Sequence, residues 1–94
     1  MDRLQCFIFS YYREEKSVKE VLSPLLSCKM IRNWGEICIE CLDAEHMEEI
    51  FSLLEYLRKP ILEIGIARAI VVSAPNEVQR TFPVKVPFHT DLLA

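Results

Sequence analysis

Apolar side chains occupy both parities of residues 4–12, the first ordered segment that the pattern predicts. Leu4 and Ile8 share one parity, and Phe7 and Phe9 share the other. A strand that is buried on both faces has this near-continuous apolar character. The pattern therefore predicts a central β-strand over residues 4–12, which a run of charged residues ends.

The segment that follows carries the signals of a helix start. Ser17 and Glu20 have the spacing of a capping box. Apolar residues then recur at the i, i+3, i+4, i+7 spacing of one helix face, at Val18, Val21, Leu22 and Leu25. Pro24 lies within that pattern and leaves two interpretations, a kinked helix or a second short turn that begins at Ser23 and Pro24.

A β-hairpin is predicted over residues 28–42. A short strand at 29–32 leads to the turn Asn33-Trp34-Gly35, and a second strand runs from 36 to 42. In the second strand one parity is apolar and the other carries two glutamates, which predicts one buried face and one more open face. The apolar parity consists of Ile37, Ile39 and Cys41.

The clearest helix begins after Asp43, a residue type that is favoured at the N-cap. Its apolar face follows the 3.6-residue period and consists of Met47, Ile50, Phe51, Leu54 and Leu57. Glutamates occupy its first turns and Arg58 and Lys59 lie near its end, which complements the helix dipole. Pro60 is expected to end the helix.

Two further strands complete the predicted elements. Residues 61–74 form the next strand, most clearly over 68–73. Over residues 81–88 one parity is apolar, at Phe82, Val84, Val86 and Phe88, whereas Pro83, Lys85 and Pro87 share the other. Prolines of one parity remove donors from one side only, so this segment is predicted as an edge strand. An extended arm of polyproline II type is the alternative.

The predicted order of elements is β-α-β-β-α-β, followed by the strand or arm at 81–88. This order is typical of a ferredoxin-like two-layer α+β sandwich, here with an extra C-terminal edge strand or arm. Without the short strand at 29–32 the order becomes βαβαββ, a thioredoxin-like α/β arrangement, which stays open as the alternative. We expect a single domain over residues 1–94, with its core over about 3–74 and a C-terminal strand or arm over about 78–94.

Composition narrows the classes of function. Of the 94 residues 51% are hydrophobic, and 11 Lys and Arg against 14 Asp and Glu give a formal charge of −3. The apolar content argues against a disordered chain, and the charge argues against a nucleic-acid partner. The longest apolar run, 61–74, is broken by Glu63 and Arg68 and is too short to span a membrane. Since the first residues lack the pattern of a signal peptide, we expect a cytoplasmic protein.

The candidate chemistry involves cysteine and histidine. Cys38 and Cys41 form a CxxC, but residues three apart on a strand point to opposite faces, so the two sulfur atoms are not expected to meet. Asp43 and His46 add a carboxylate and an imidazole at helical spacing, a weak metal pattern. A thiol or metal enzyme that uses Cys38, Cys41 and His46 is therefore a weaker hypothesis than packing. No cofactor, metal or catalytic residue is expected, and the sequence favours binding over catalysis.

The apolar surplus favours self-association. The candidate interface combines aromatic residues of the first predicted strand with the C-terminal segment, at Phe7, Phe9, Tyr11, Phe82, Val84, Val86 and Phe88. A two-layer fold leaves one sheet face to be covered by that segment or by a second copy of the chain. We therefore expect a small non-catalytic interaction or regulatory module that forms a homodimer through an apolar sheet face and the C-terminal arm; another protein is the alternative partner. A small-molecule-binding sensor domain is the alternative.

Overall fold

A computed structural model describes residues 2–85 of the chain. Its α-helices are α1 (Arg3–Tyr11), α2 (Lys16–Val21), α3 (Ala44–Phe51) and α4 (Leu54–Ile64). A 3₁₀ turn, Ser23–Ser27, lies between α2 and the first strand. The strands are β1 (Lys29–Asn33), β2 (Glu36–Glu40), β3 (Ala69–Ser73) and β4 (Arg80–Pro83). Among these residues no helix is both long enough and apolar enough to cross a membrane.

The four strands form one mixed sheet in the order β1-β2-β3-β4. The outer pairs β1–β2 and β3–β4 are antiparallel, whereas β2 and β3 are parallel and are joined by the crossover through α3 and α4. The prediction of a small α+β fold is thus confirmed at the level of class. The ferredoxin-like connectivity is not confirmed, because the strand that should open that pattern is a helix; the thioredoxin-like alternative also required this strand.

The predicted strand over residues 4–12 is wrong, because this segment is helix α1. Asp2 and Gln5 form a capping box: the Asp2 side chain accepts from the Gln5 amide at 2.9 Å, and the Gln5 side chain accepts from the Asp2 amide at 2.8 Å. One face of α1 then buries Ile8 and leads to the buried Tyr12. A helix with partly buried flanks has apolar residues at both parities, so alternation could not distinguish the two structures.

The hairpin prediction is confirmed. Asn33 pairs with Glu36, which leaves Trp34 and Gly35 as a two-residue loop with φ of 50° and 82°. Two successive positive φ angles are the signature of a type I′ turn. At Gly35 an added β-carbon would lie 2.8 Å from Nη1 of Arg68, the end of a flexible, exposed side chain that can move aside, so glycine is favoured there by its φ of 82° and not by packing. Trp34 has a β-carbon in the same left-handed region, and its side chain is 89% exposed.

Pro24 begins a new turn rather than kinking a helix. Helix α2 ends at Val21, and Pro24 is the second residue of the 3₁₀ turn, where its missing N–H is not needed. Leu22 and Leu25, on either side, are both fully buried. The second of the two interpretations of Pro24 is therefore the correct one.

Asp43 caps α3 as predicted, since its carboxylate accepts from the His46 amide at 2.8 Å. The single helix expected after it is divided in two, and Pro60 lies inside α4 instead of ending it. A proline frees the carbonyl four residues before it. That carbonyl, of Tyr56, accepts a 2.7 Å hydrogen bond from the Tyr12 hydroxyl, which lets the helix continue to Ile64. The predicted strand at 61–74 is accordingly reduced to β3.

Strand β4 is the C-terminal edge strand that the proline pattern predicts, although it is shorter and spans Arg80–Pro83. Phe82 packs edge-to-face against Phe51 of α3 with ring centroids 5.4 Å apart. Arg80 lies over both rings, 5.3 Å and 5.5 Å from their centroids. The later part of the predicted strand, residues 86–88, lies outside the described residues.

The described core contains two buried polar side chains, and both bind the 3₁₀ turn or the residue after it. Gln5 of α1 donates to the carbonyl oxygens of Leu25 and Cys28, each at 2.8 Å. His46 of α3 contacts the carbonyl oxygen of Pro24, also at 2.8 Å. The 3₁₀ turn is therefore held by hydrogen bonds from two helices that are far apart in the sequence.

We expect Gln5→Met to lower the free energy of unfolding by about 2–4 kcal/mol, because the same volume is filled while two buried carbonyls lose a donor. The matched control is Gln79→Met at an exposed position, which is expected to change the free energy by less than about 0.5 kcal/mol. Urea unfolding of both variants measures the difference. Equal effects would contradict the role assigned to Gln5.

We expect Trp34→Asn to raise the free energy of unfolding by about 1 kcal/mol, because asparagine tolerates the left-handed region better than tryptophan. Trp34→Ala keeps a β-carbon at the same φ and is the control, with little expected change. Thermal and urea unfolding compare the three chains. A stability gain in the alanine variant equal to that in the asparagine variant would show that the exposed ring, and not the backbone, is unfavourable.

Candidate functional site

Cys28, Cys41 and His46 form a compact cluster, the thiol–histidine cluster, in the interior of the domain. Their side-chain donor atoms all lie within 4.8 Å of one another. The three side chains are only 7%, 5% and 7% exposed. Two thiols and an imidazole in such proximity are the densest group of metal-ligating side chains among residues 2–85.

The hairpin register explains why the two cysteines meet. Lys29 pairs with Glu40, so Cys28 and Cys41 are the next opposed positions along the two antiparallel strands. The Cys41 amide donates to the Ser73 carbonyl at 2.7 Å, which continues the sheet beyond β2. His46 reaches the same place from the first turn of α3, whose start is fixed by the Asp43 cap.

Hydrogen bonds define the tautomer of His46. The Leu42 amide donates to Nδ1 at 2.9 Å, so Nδ1 carries a lone pair and no proton. The proton of the neutral ring is therefore on Nε2, which donates to the Pro24 carbonyl oxygen at 2.8 Å. Both ring nitrogens are thus satisfied inside the protein, as expected of a buried histidine.

The two thiols lie beside the imidazole in a poorly hydrated environment. The Cys28 Sγ is 3.5 Å from Nε2 of His46 and 3.8 Å from the Pro24 carbonyl oxygen. Burial, and then the neighbouring Cys41 thiol, raise the pKa of Cys28 to about 12. Burial also raises the pKa of Cys41. Both groups are therefore thiols at neutral pH and are poor nucleophiles.

The structure separates Cys38 from the predicted set of Cys38, Cys41 and His46. The prediction that the CxxC sulfurs point to opposite faces agrees with the burial, because Cys41 is buried in the core whereas Cys38 is half-buried. Cys28 takes the third position. The signal that would have found it is the register of the predicted hairpin, which places Cys28 opposite Cys41.

The predicted interface residues do not form one stripe. Phe7 lines a groove of about 550 Å³ between α1, β1 and the end of α4, together with Leu4 and Ile64. Phe9 lines a different groove, and the Tyr11 hydroxyl donates to Glu63 at 2.6 Å. Phe82 packs on α3, and Val84 is buried in the core. Val86 and Phe88 lie outside the described residues.

The second surface of interest is the sheet face directed away from the helices. The core-facing parity of the sheet consists of Met30, Ile37, Ile39, Ile70 and Val72. The opposite parity forms what we call the open face, which comprises Lys29, Ile31, Glu36, Cys38, Glu40 and Val71. At its centre Ile31, Cys38 and Val71 are adjacent in register; Ile31 is 39% exposed, Cys38 is half-buried and Val71 is buried, at 5% exposed.

Comparisons with known proteins found no matching family model, no matching curated protein and no matching solved structure.

We expect the four cysteines to react with iodoacetamide in the order of their exposure. Cys6 is exposed and should be alkylated first, followed by the half-buried Cys38, whereas Cys28 and Cys41 should react only after unfolding in urea. Peptide mass spectrometry identifies each site. Rapid native alkylation of Cys28 or Cys41 would contradict the burial and the raised pKa values of the cluster.

Proposed function

We propose that the protein is a small non-catalytic interaction module that self-associates as a two-fold dimer through the open face of its sheet. The observation that carries this proposal is the composition of the face. Its accessible centre is apolar, at Ile31 and the half-buried Cys38 beside the buried Val71, and its periphery is charged, at Lys29, Glu36 and Glu40. An apolar centre with a polar rim is the common anatomy of a protein interface.

The charges of the open face favour a second copy of the chain as the partner. In a two-fold interface the same surface of both subunits is in contact. If one residue contacts a second residue of the partner, the reverse contact is also made, so the surface must be complementary to itself. Lys29 and Glu40 lie directly opposite each other across β1 and β2, which gives the rim both signs of charge. Lys29 of one subunit can therefore approach a glutamate of the other, and this arrangement is repeated by symmetry.

Association through the edge of β1 is less favourable than association through the open face. An unpaired edge promotes pairing only while its N–H and C=O groups are free. The Met30 amide donates to the Asp2 carboxylate at 3.2 Å, and the Arg32 side chain donates to the Ile66 carbonyl oxygen at 2.9 Å. Of these two contacts, the Met30 contact engages a backbone group of β1, so one N–H fewer is free for strand pairing, which favours face-to-face packing over extension of the sheet.

A small-molecule sensor is the second candidate, and the groove beside Phe7 favours it. The groove is about 550 Å³, within the range of ligand sites, and its apolar lining includes Leu4, Ile64 and Ile66. Arg3 and Arg32 at its border would suit a ligand that combines an apolar body with an anionic group. This candidate requires no dimer.

We expect the full-length reduced chain to sediment as a dimer at micromolar concentrations, and Ile31→Glu to sediment as a monomer because it places a charge at the centre of the open face. The matched control is Leu62→Glu, which changes an exposed leucine on α4 and should leave the dimer intact. Circular dichroism verifies that both variants are folded. A monomeric parent chain, or equal dissociation by both substitutions, would contradict the proposal.

The dimer places Cys38 near the two-fold axis, since Cys38 lies on a central strand of the open face. In a Cys6→Ser background, a short bismaleimide should therefore link two chains through Cys38 and not through Cys28 or Cys41. A covalent dimer that lacks Cys38 in its linked peptides would place the interface elsewhere. The Phe7 groove would then be the next surface to examine.

A further inference from the structure

We propose that the thiol–histidine cluster binds one zinc ion through Cys28, Cys41 and His46. The site is distinct from the open face and does not depend on self-association. Thiolate and imidazole are the ligands that zinc prefers, and the three donors come from three separate places: the start of β1, the end of β2 and the first turn of α3.

The distances in the cluster suit tetrahedral coordination. With Zn–S of about 2.3 Å and Zn–N of about 2.0 Å, sulfur and nitrogen ligands of one zinc ion lie about 3.5 Å apart. The Cys28 Sγ and the His46 Nε2 are 3.5 Å apart. The Cys41 sulfur lies within 4.8 Å of the Cys28 sulfur and of a ring nitrogen of His46, so it must move closer to complete three corners of a tetrahedron.

The Pro24 carbonyl oxygen is the nearest candidate for the fourth corner. It lies 2.8 Å from Nε2 of His46 and 3.8 Å from the Cys28 Sγ. In the metal-free chain this oxygen accepts the Nε2 proton. Nitrogen and oxygen ligands of one zinc ion lie about 3.3 Å apart, so zinc can take the place of the Nε2 proton only when this carbonyl moves away from the ring. After that movement its oxygen can complete the fourth corner directly or through a water molecule.

Zinc binding changes the protonation of all three side chains. Zinc displaces one proton from each thiol, and the two protons pass to the solvent. The proton on Nε2 of His46 is also displaced, and a neutral imidazole must then carry a proton on Nδ1. The complex contains Zn²⁺, two thiolates and one neutral imidazole, so binding releases two protons in total.

The change of tautomer has a local consequence at Leu42. In the metal-free chain the Leu42 amide donates to Nδ1 at 2.9 Å. Once Nδ1 carries a proton, two donors face each other and this hydrogen bond is lost. Leu42 precedes the helix, and its amide must then turn away from the ring. We therefore expect zinc binding to change the hydrogen bonding of the Leu42 amide, although Leu42 is not a zinc ligand.

The test uses the full-length chain with any affinity tag removed, reduced and treated with a chelator. Titration with Co²⁺ should give one ion per chain and the thiolate-to-cobalt absorption of a tetrahedral site, and Zn²⁺ should displace the cobalt. Because even outer-shell partners of a metal contribute 10–100-fold to affinity, Cys28→Ser and Cys41→Ser should weaken binding by at least about 100-fold. Cys38→Ser and Cys6→Ser are the controls and should bind as the parent chain does.

Two readouts on the parent chain keep the proposal testable if a variant fails to fold. The thiolate-to-cobalt absorption must be present, and the Leu42 amide signal must shift, with faster hydrogen exchange, when Zn²⁺ is added. Absence of the absorption band would overturn the proposal. Binding that survives in a folded Cys28→Ser variant, or that is lost equally in Cys38→Ser, would also overturn it.

Discussion

The structure depends on the hydrogen bonds that satisfy the buried carbonyls of the 3₁₀ turn and of Cys28, the residue that follows it. A buried carbonyl without a donor costs about 1–3 kcal/mol, and the short turn cannot supply donors for all of its own carbonyls. Gln5 and His46 supply them from opposite sides of the turn. These two side chains thereby fix α1 and α3 against the segment that leads into β1.

The same hydrogen bonds bring the thiol–histidine cluster together. Gln5 fixes the backbone of Cys28, the hairpin register places Cys41 opposite it, and His46 is oriented by the Leu42 amide and the Pro24 carbonyl. The metal-free cluster is therefore part of a satisfied core. One hydrogen bond contributes about 1 kcal/mol, whereas a structural zinc site contributes about 10 kcal/mol, so the ion can displace both the Leu42 contact and the Pro24 contact of His46 without loss of the fold.

The local elements of this fold could be predicted from the sequence, and the elements that depend on distant contacts could not. The hairpin followed from its turn residues, and the start of α3 followed from Asp43. The strand predicted over residues 4–12 is wrong because their apolar residues fit both the helical and the strand period. The contacts of Gln5 that favour the helix reach Leu25 and Cys28, which are distant in the sequence. The CxxC drew attention to Cys38, whereas the partner of Cys41 is set by strand pairing. The sequence predicts an apolar sheet face and assigns its central residues to 4–12, whereas the residues of the open face lie on β1, β2 and β3.

The tautomer of His46 tests this account most directly. Nitrogen-15 NMR of the zinc-free chain near neutral pH distinguishes a protonated ring nitrogen from an unprotonated one. We expect the proton on Nε2, where it is donated to the Pro24 carbonyl oxygen, and a lone pair on Nδ1, where it accepts from the Leu42 amide. A proton on Nδ1 in the zinc-free chain would contradict the hydrogen bonds on which both the fold of the 3₁₀ turn and the proposed zinc chemistry rest.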